Sequence, residues 1–204
     1  MDRAPHPTRP RLLLASRSPR RRAMLTQAGI EFGLARTTLD DGGLMPGNVP
    51  PEHWVTALAY LKAAYAARLA PTETVVIGAD TLCATDSGLL GQPRDADHAR
   101  GMIRAMQNAR HRVITGVALV TADGRRTTLT DAAAVRVGRI TDEQIESYLA
   151  TDAWRGKAGA YNLADRQAAG WPITVTGDPD TVMGLPMRRL PALINAFTAA
   201  ETPA

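Results

Sequence analysis

Residues 12–25 constrain the fold more than any other part of the chain, because they predict a strand, a hydroxyl-rich turn and a helix start in immediate succession. The apolar run at 12–14 is typical of a buried strand. Ser18 is a preferred N-cap residue, and Pro19 has its backbone torsion pre-set for the first helical position. We therefore expect a helix that starts behind this turn and ends near Gly29.

Three arginines at positions 20, 21 and 22 fall in the first turn of that helix. Cations at a helix N-terminus oppose the helix dipole and cost some tenths of a kcal/mol each. Their presence indicates a compensating gain, such as an anion held between guanidinium groups, backbone N–H groups and the Ser16 hydroxyl. A solvated basic surface turn is the alternative interpretation.

The length and charge of the chain limit its class. At 204 residues it can form one large domain or two small ones. A net charge of +4 suits an anionic ligand but is too mild to indicate a nucleic-acid-binding protein. Aromatic residues make up only 4% of the chain, which leaves few platforms for stacking on bases. We therefore expect no stable nucleic-acid partner.

Cysteine usage and the start of the sequence predict the compartment. The single Cys83 excludes an internal disulfide framework and a multi-cysteine zinc site. Residues 1–10 are polar and proline-rich, so we expect a disordered tail before a domain at 11–200. With no apolar run long enough to cross a bilayer, we expect no membrane partner and a cytoplasmic enzyme or binding protein.

Patterns along the rest of the chain predict alternating helices and strands. We expect strands at 31–36, 89–93, 111–122 and 126–137. A further strand is expected at 74–79, and residues 82–84 continue it. We expect a loop at 37–51, a turn at 177–180 and helices at 51–69, 95–109, 141–149 and from 184 onward, the last kinked at Pro191. Thr141 and Gln144 form a capping box for one of these helices.

Asp80 follows the apolar strand pattern at 74–79 and precedes another apolar segment. A carboxylate in the middle of such a run is costly to bury unless it is paired or binds a metal. Asp80 is therefore our best single candidate for a catalytic or metal-binding group. A hydrogen-bonded structural aspartate is the alternative.

Lys62 interrupts a helical stripe formed by Val55, Leu58, Tyr65 and Leu69. Only two of the 24 basic residues are lysines, so each of them merits attention. Either Lys62 extends from the edge of a packed face into solvent, or its ammonium lies at the rim of a cleft.

The second lysine, Lys157, lies in the glycine-rich passage 156–163. Small residues on either side of a lysine allow the backbone to approach a ligand closely. A loop that crosses closely packed elements is the alternative.

Several common catalytic motifs are absent from the sequence. There is no phosphate-binding P-loop, no dinucleotide-binding glycine turn, no zinc-ligand spacing of histidines and no serine nucleophile elbow. His111 opens a strand and favours a structural role. The remaining cations and carboxylates suit Mg²⁺ or Mn²⁺ and phosphoanhydride chemistry, in which cations hold a polyphosphate and a carboxylate activates water.

Several blocks of sequence together resemble the Maf family of nucleoside triphosphate pyrophosphatases. The first block is residues 14–21, Leu-Ala-Ser-Arg-Ser-Pro-Arg-Arg. Further blocks follow in order at 58–63, 78–81, 88–93, 111–116, 157–161 and 184–186. Any one block is a weak signal, but their order over nearly the whole chain is specific.

This resemblance implies an α/β domain with a mixed, strongly curved sheet, flanking helices and a central cleft, as in Maf and ITPase-like proteins. It implies hydrolysis between the α and β phosphates of a nucleoside triphosphate, with Asp80 as the proton acceptor and a divalent metal held by Asp80 and Asp41. Arg21 and Thr81 occupy positions associated with the choice of base. A homodimer is also implied. The resemblance places substrate contacts at Ser16, Arg20, Arg21, Lys62, Thr81, Gln92, Lys157 and Ala164.

Three positions depart from the family pattern. Gln92 replaces a usual lysine, Ala164 replaces a glutamine that accompanies pyrimidine selectivity, and an Asp-Glu pair reads Asp40-Asp41. Losing one charge-assisted phosphate contact costs about 1.5–3 kcal/mol. Arg94 is a hypothetical source of the missing charge. These departures favour an alternative function, a weakly active or inactive nucleotide-binding regulator of cell division.

Overall fold

The structure, a computed structural model, describes residues 11–36, 39 and 44–199. The expected disordered tail at 1–10 lies outside this part of the chain. So do Asp40 and Asp41, including the predicted metal ligand, and residue 200 at the end of the expected domain.

Strands and helices are interspersed along the described residues. The strands are β1 (Arg11–Ala15), β2 (Gly33–Leu34), β3 (Thr74–Thr85), β4 (Gly88–Leu90), β5 (Ala109–Thr121), β6 (Arg126–Val137) and β7 (Ile173–Thr176). The helices are α1 (Pro19–Gln27), α2 (Pro51–Ala67), α3 (Ala96–Met106), α4 (Asp142–Leu149), α5 (Leu163–Ala168), α6 (Pro179–Met183) and α7 (Leu190–Ala199), with a 3-10 turn at Ala158–Ala160.

In the described residues, the seven strands form one mixed sheet of order β2-β1-β3-β5-β6-β7, with β4 paired to β3. Strand β1 runs parallel to β2 and β3, whereas the β3–β4, β3–β5, β5–β6 and β6–β7 pairs are antiparallel. The predicted fold class, a mixed α/β sheet flanked by helices, is confirmed. Its strong curvature stays a prediction. None of these helices is long and apolar enough to span a membrane.

Two glycines of the sheet, one on β3 and one on β5, allow α2 to pack unusually close to these strands. A side chain at Gly78 would place its Cβ 2.3 Å from the Ala59 carbonyl oxygen, and one at Gly116 would lie 2.7 Å from the Val55 carbonyl oxygen. Only a helix face with small side chains can approach a strand this closely. Four of the six buried residues of α2 are accordingly alanines, namely Ala59, Ala63, Ala66 and Ala67, and the other two are Val55 and Leu58.

The predicted apolar stripe on α2 is therefore wrong in its second half. Tyr65 is 37% exposed and Leu69 is 67% exposed. The alanine face of α2 packs against the strands at their glycines, so the side chains of Tyr65 and Leu69 point outward. Lys62 then lies at the border between the buried and the exposed face of the helix.

Other predicted elements also need correction, including the last helix, which starts at Leu190 rather than at 184. The expected turn at 177–180 starts α6, because the Asp178 side chain caps that helix by accepting from the Asp180 N–H. Pro191 does not kink the last helix. It lies in the first turn of α7, where its missing N–H costs no helical hydrogen bond. Helix α3 ends at Met106 rather than 109, because β5 begins at Ala109.

Candidate active site

The main cleft lies at a gap along one edge of β3. Strand β1 ends where Ala15 pairs with Gly78, and β4 first pairs at Cys83. Among the described strands, none pairs with residues 79–82 on that side of β3. The side chains of two neighbouring strand residues point to opposite faces of the sheet, but both side chains can reach a cleft that opens at the strand's edge. This gap explains why the neighbours Asp80 and Thr81 both line the cleft.

The cleft has a volume of about 670 Å³, which is a typical size for a small-molecule site. Its lining brings together seven of the eight predicted substrate-contact residues with the predicted catalytic aspartate. They are Ser16, Arg20, Arg21, Lys62, Thr81, Gln92, Lys157 and Asp80.

Ser16 lies in the turn between β1 and α1 with its hydroxyl oxygen accepting two hydrogen bonds. The Ser18 N–H donates to it at 3.2 Å, and Arg21 Nη1 donates at 3.2 Å. Ser18 caps α1 by accepting from the Arg21 N–H, and Pro19 stands at the start of the helix as predicted. Within the described part of the chain, no acceptor takes the Ser16 hydroxyl hydrogen, so this hydroxyl can donate to an anion in the cleft.

Arg21 ties the turn to β3 and to the end of α6. Its Nε donates to the Gly184 carbonyl at 2.9 Å, Nη1 to the Ala79 carbonyl at 2.8 Å and Nη2 to Thr81 Oγ1 at 2.9 Å. The Ala79 carbonyl belongs to the edge of β3 that lacks a partner strand. Arg21 therefore closes the exposed strand edge and holds Thr81, in addition to lining the cleft.

Arg20 and Arg22 have different surroundings. The Arg20 guanidinium lines the cleft, and within the described residues it donates no hydrogen bond. Burial lowers the pKa of Arg20, and the nearby Asp165 carboxylate opposes this effect. Arg22 does not line the cleft, and its buried Nε has no hydrogen-bond partner in the described residues. The expected anion site between guanidinium groups can thus involve Arg20 and Arg21 but not Arg22.

Lys62 and Asp80 form an ion pair inside the cleft. Lys62 Nζ, from α2, lies 2.5 Å from Asp80 Oδ1 on β3, and the two side chains are 18% and 16% exposed. The interpretation of Lys62 as a solvent-directed surface lysine is therefore wrong. An adjacent positive charge favours the ionised form of a carboxylate, which is the form that accepts protons.

The glycine-rich passage lines the cleft through Gly156, Lys157 and Ala158. Gly159 has a positive φ of 67°, and a Cβ there would lie 2.8 Å from Cys83 Sγ. The passage thus packs closely against β3, as the alternative of a loop that crosses closely packed elements expects, and its approach to a ligand stays a prediction. Lys157 Nζ lies 3.8 Å from Asp165 Oδ2. Burial lowers the pKa of Lys157, while Asp165 acts in the opposite direction.

The three positions that depart from the family pattern have separate locations. Gln92 lines the cleft, where it supplies an amide instead of a charge. Ala164 does not line it; it is exposed in the first turn of α5. Arg94 does not line the cleft either, so it is not placed to supply the missing charge. Asp41 lies outside the described residues.

The cleft also contains ionisable residues that sequence reasoning missed. Arg155 and Asp152 line it and form an ion pair of 3.0 Å, and the Arg155 guanidinium lies 4.4 Å from the Trp154 ring. Cys83 lines it too, and burial raises the pKa of this thiol to about 12, so it stays protonated. No local pattern marks Asp152 or Arg155, because neither lies in an apolar run or a recognisable turn.

His111 has the structural position that its place at the start of a strand predicts. It is buried, and its Nε2 lies 3.1 Å from the Tyr161 hydroxyl. Burial lowers the pKa of His111 to about 4, so the ring is neutral at pH 7. The ring does not line the cleft.

The described residues contain no group of three or more histidine, cysteine, aspartate or glutamate side chains placed to hold a metal. Among the described residues that line the cleft, Asp80 and Asp152 carry carboxylates; Asp152 pairs with Arg155, and Asp80 with Lys62. Mg²⁺ often uses only one or two protein carboxylates together with substrate phosphates and water. The donor set at Asp80 therefore fits a metal that arrives with a polyphosphate.

A cleft at a sheet edge, in which cations outnumber the two paired carboxylates of the described lining, defines an α/β protein suited to bind a small anionic molecule. The comparison with protein families makes this more specific. The family model described as "Maf-like protein" matches residues 11–197, and the chain belongs to this family. The resemblance found in the sequence is confirmed.

Relatives named as pyrophosphatases are similar over almost their full length. A protein from Salinibacter ruber named dTTP/UTP pyrophosphatase is 41% identical over 92% of this chain and 91% of its own. A protein of the same name from Pelotomaculum thermopropionicum is 36% identical over 91% of this chain and 96% of its own. A solved nucleoside-triphosphatase / dITP/XTP pyrophosphatase from Mycobacterium abscessus has a TM-score of 0.40 at 15% identity, covering 64% of this chain and 75% of that one. That structural similarity is too low to support a conclusion.

Proposed function

We propose that this protein is a nucleoside triphosphate pyrophosphatase, which hydrolyses its substrate between the α and β phosphates to the monophosphate and pyrophosphate. The observation that carries the proposal is the Lys62–Asp80 pair in a cleft that Ser16 and Arg20 also line. These residues combine a proton acceptor with donors for phosphate oxygens. The names of the relatives support the same reaction.

The proposed reaction assigns separate tasks to these residues. Ser16, Arg20 and Lys62 bind phosphate oxygens, which places the α-phosphorus near Asp80. Asp80 accepts a proton from water as the water oxygen bonds to the α-phosphorus and the bond to the bridging oxygen breaks. The cations stabilise the negative charge that develops on the departing pyrophosphate.

Asp80 would also hold a divalent metal, Mg²⁺ or Mn²⁺, with Asp41 as the second ligand predicted from the sequence. When bound, such an ion neutralises phosphate charge and orients the polyphosphate. We propose dTTP and UTP as the first substrates to examine, since the relatives carry these names. A cytoplasmic location and a homodimer stay predictions from the sequence.

The experiment is a release assay for pyrophosphate. The purified protein is incubated with the standard ribo- and deoxyribonucleoside triphosphates and with modified bases, in Mg²⁺, Mn²⁺ or EDTA. We expect pyrophosphate and monophosphate in equal amounts, loss of activity in EDTA and loss in Asp80→Asn. Asp86→Asn is the matched control, because Asp86 is exposed in the β3–β4 turn and should leave activity unchanged. Absence of pyrophosphate from every triphosphate would contradict the proposal.

Two observations favour a second candidate, a nucleotide-binding regulator without turnover. Gln92 brings no charge to the cleft, and Lys62 already has an anionic partner in Asp80. Calorimetry distinguishes the two functions. Tight binding of a triphosphate, with no product after prolonged incubation, would support the regulator and exclude the enzyme.

A further inference from the structure

Three polar residues form a row across the centre of the sheet. Thr81 on β3 pairs directly with Thr115 on β5, and Thr115 pairs directly with Asp131 on β6. Residues directly opposite each other on adjacent strands project on the same face. The row therefore extends along one face of the sheet, from Thr81 at the cleft to Asp131 on β6.

Hydrogen-bond counting fixes the direction of every bond in this row. Thr115 Oγ1 lies 2.7 Å from the Thr181 carbonyl, which can only accept, so the single hydroxyl hydrogen of Thr115 is used there. Thr81 must then donate in its 2.9 Å bond to Thr115. Thr81 Oγ1 also accepts from Arg21 Nη2 at 2.9 Å. The hydroxyl of Thr81 is left with one lone pair and no hydrogen for a ligand.

The far end of the row holds the Thr181 carbonyl in place. Thr181 Oγ1 donates to Asp131 Oδ2 at 2.5 Å, and Arg189 Nη1 lies 3.4 Å from Asp131 Oδ1. Thr115 and Thr181 are both fully buried. Because the bond between Thr115 and the Thr181 carbonyl is buried, water cannot easily replace a partner that is removed there.

We propose that Thr115 is a positioning residue that makes Thr81 an acceptor-only group toward the cleft. Ionised phosphate oxygens are also acceptors, so Thr81 cannot bind the triphosphate chain. It selects instead for an N–H or O–H donor on the nucleoside part of the ligand. Gly184 leaves room beside this group, since a Cβ there would lie 3.5 Å from Thr81 Oγ1 and 3.1 Å from Arg21 Nε.

This inference rests on the proposed function, because it assumes that the cleft takes a nucleotide, but its test measures binding and not turnover. The variants are Thr115→Val, which removes the hydroxyl at similar size, and Thr115→Ser, which keeps it. Calorimetry gives the dissociation constants of UMP, of N3-methyl-UMP, which lacks the base N–H, and of dUMP, which lacks the 2′-hydroxyl. Inorganic pyrophosphate carries no nucleoside, so its affinity reports only on the phosphate-binding residues proposed above.

For the wild type, we expect removal of one of these donors to weaken binding about fivefold, the value of one hydrogen bond. In Thr115→Val the loss of affinity on removing the ligand's donor should fall below about twofold, because the Thr81 hydroxyl hydrogen can then turn toward the cleft. Thr115→Ser should keep the loss of about fivefold. The affinity for pyrophosphate should stay the same in both variants. A merely structural role would weaken pyrophosphate and nucleotides together.

Several results would overturn the inference: an unchanged donor preference in Thr115→Val, the same loss in Thr115→Ser, or parallel weakening of pyrophosphate. So would a wild type that binds none of the nucleotides. If Thr115→Val does not fold, Thr115→Cys replaces it, because a thiol has a similar volume and is both a weak donor and a weak acceptor. A changed donor preference without pyrophosphate release from triphosphates would support the inference and reject the proposed enzyme activity.

Discussion

The ammonium of Lys62 lies 2.5 Å from Asp80 Oδ1, although the two residues are 18 positions apart and belong to different elements. The contact depends on the close packing of α2 against β3 at Gly78, two residues before Asp80. The pair places a proton acceptor and a phosphate-binding cation side by side. A phosphate that enters the cleft would compete with Asp80 for the ammonium and would be held next to the proposed base.

Replacing the carboxylate by an amide tests the proposed base. Asp80→Asn should lower kcat by about 10²- to 10⁴-fold, the usual contribution of a general base. The free energy of unfolding should change by only about 1 kcal/mol, because the lost ion pair is partly solvated. Steady-state kinetics and urea unfolding measure the two effects. An active Asp80→Asn protein would assign the base to another residue.

Lys62→Met removes the charge but keeps most of the side-chain length. It should lower kcat/KM about ten- to a hundredfold, because one charge-assisted phosphate contact is lost. Lys62→Arg is the matched variant that keeps the charge. It should restore only part of the loss, since a planar guanidinium does not replace a compact ammonium. Equal kcat/KM values for the wild type and Lys62→Met would remove Lys62 from the phosphate site.

Local sequence patterns predicted the parts of the site that are close in sequence. The turn around Ser16 and Ser18 and the aspartate inside an apolar run each have a short signature, and the structure brings them to one cleft. The capping box at Thr141 and Gln144 is also confirmed. For the serine turn and the capping box, neighbouring residues provide the partners, and for Asp80 the signal is the apolar run on either side, so no knowledge of the tertiary fold is required.

Features that depend on distant partners were not predictable in this way. Two glycines on neighbouring strands, Gly78 and Gly116, determine which face of α2 is buried. The helical periodicity of the sequence alone therefore predicted the wrong apolar stripe. The polar row needs the registers of β3, β5 and β6, which bring Thr81 opposite Thr115 and Asp131. Such pairings follow from strand order, which a single sequence does not reveal.

A pair of glycine substitutions tests the packing of α2. Gly78→Ala should be destabilising by several kcal/mol, because its Cβ would meet the backbone of α2 at 2.3 Å, and backbone cannot move aside as a flexible side chain can. Gly101→Ala is the control on α3, with no atom within 4 Å of the new Cβ. It should stabilise the protein by up to about 1 kcal/mol through higher helix propensity. Urea unfolding that gave both variants the same stability would contradict this account of the packing.

Acid stability should depend on His111. Its pKa is about 4 in the folded protein because of burial, against 6.5 for an unperturbed histidine. The unfolded chain therefore binds an extra proton between these values, so this contribution to stability is complete above pH 6.5 and is lost as the pH falls toward 4. The loss is about 1.4 kcal/mol per pH unit within that window. In His111→Gln, whose neutral amide can still bond Tyr161, urea unfolding should show a shallower decline from pH 7 to pH 4.5. An identical decline in both proteins would mean that His111 is charged in the folded state.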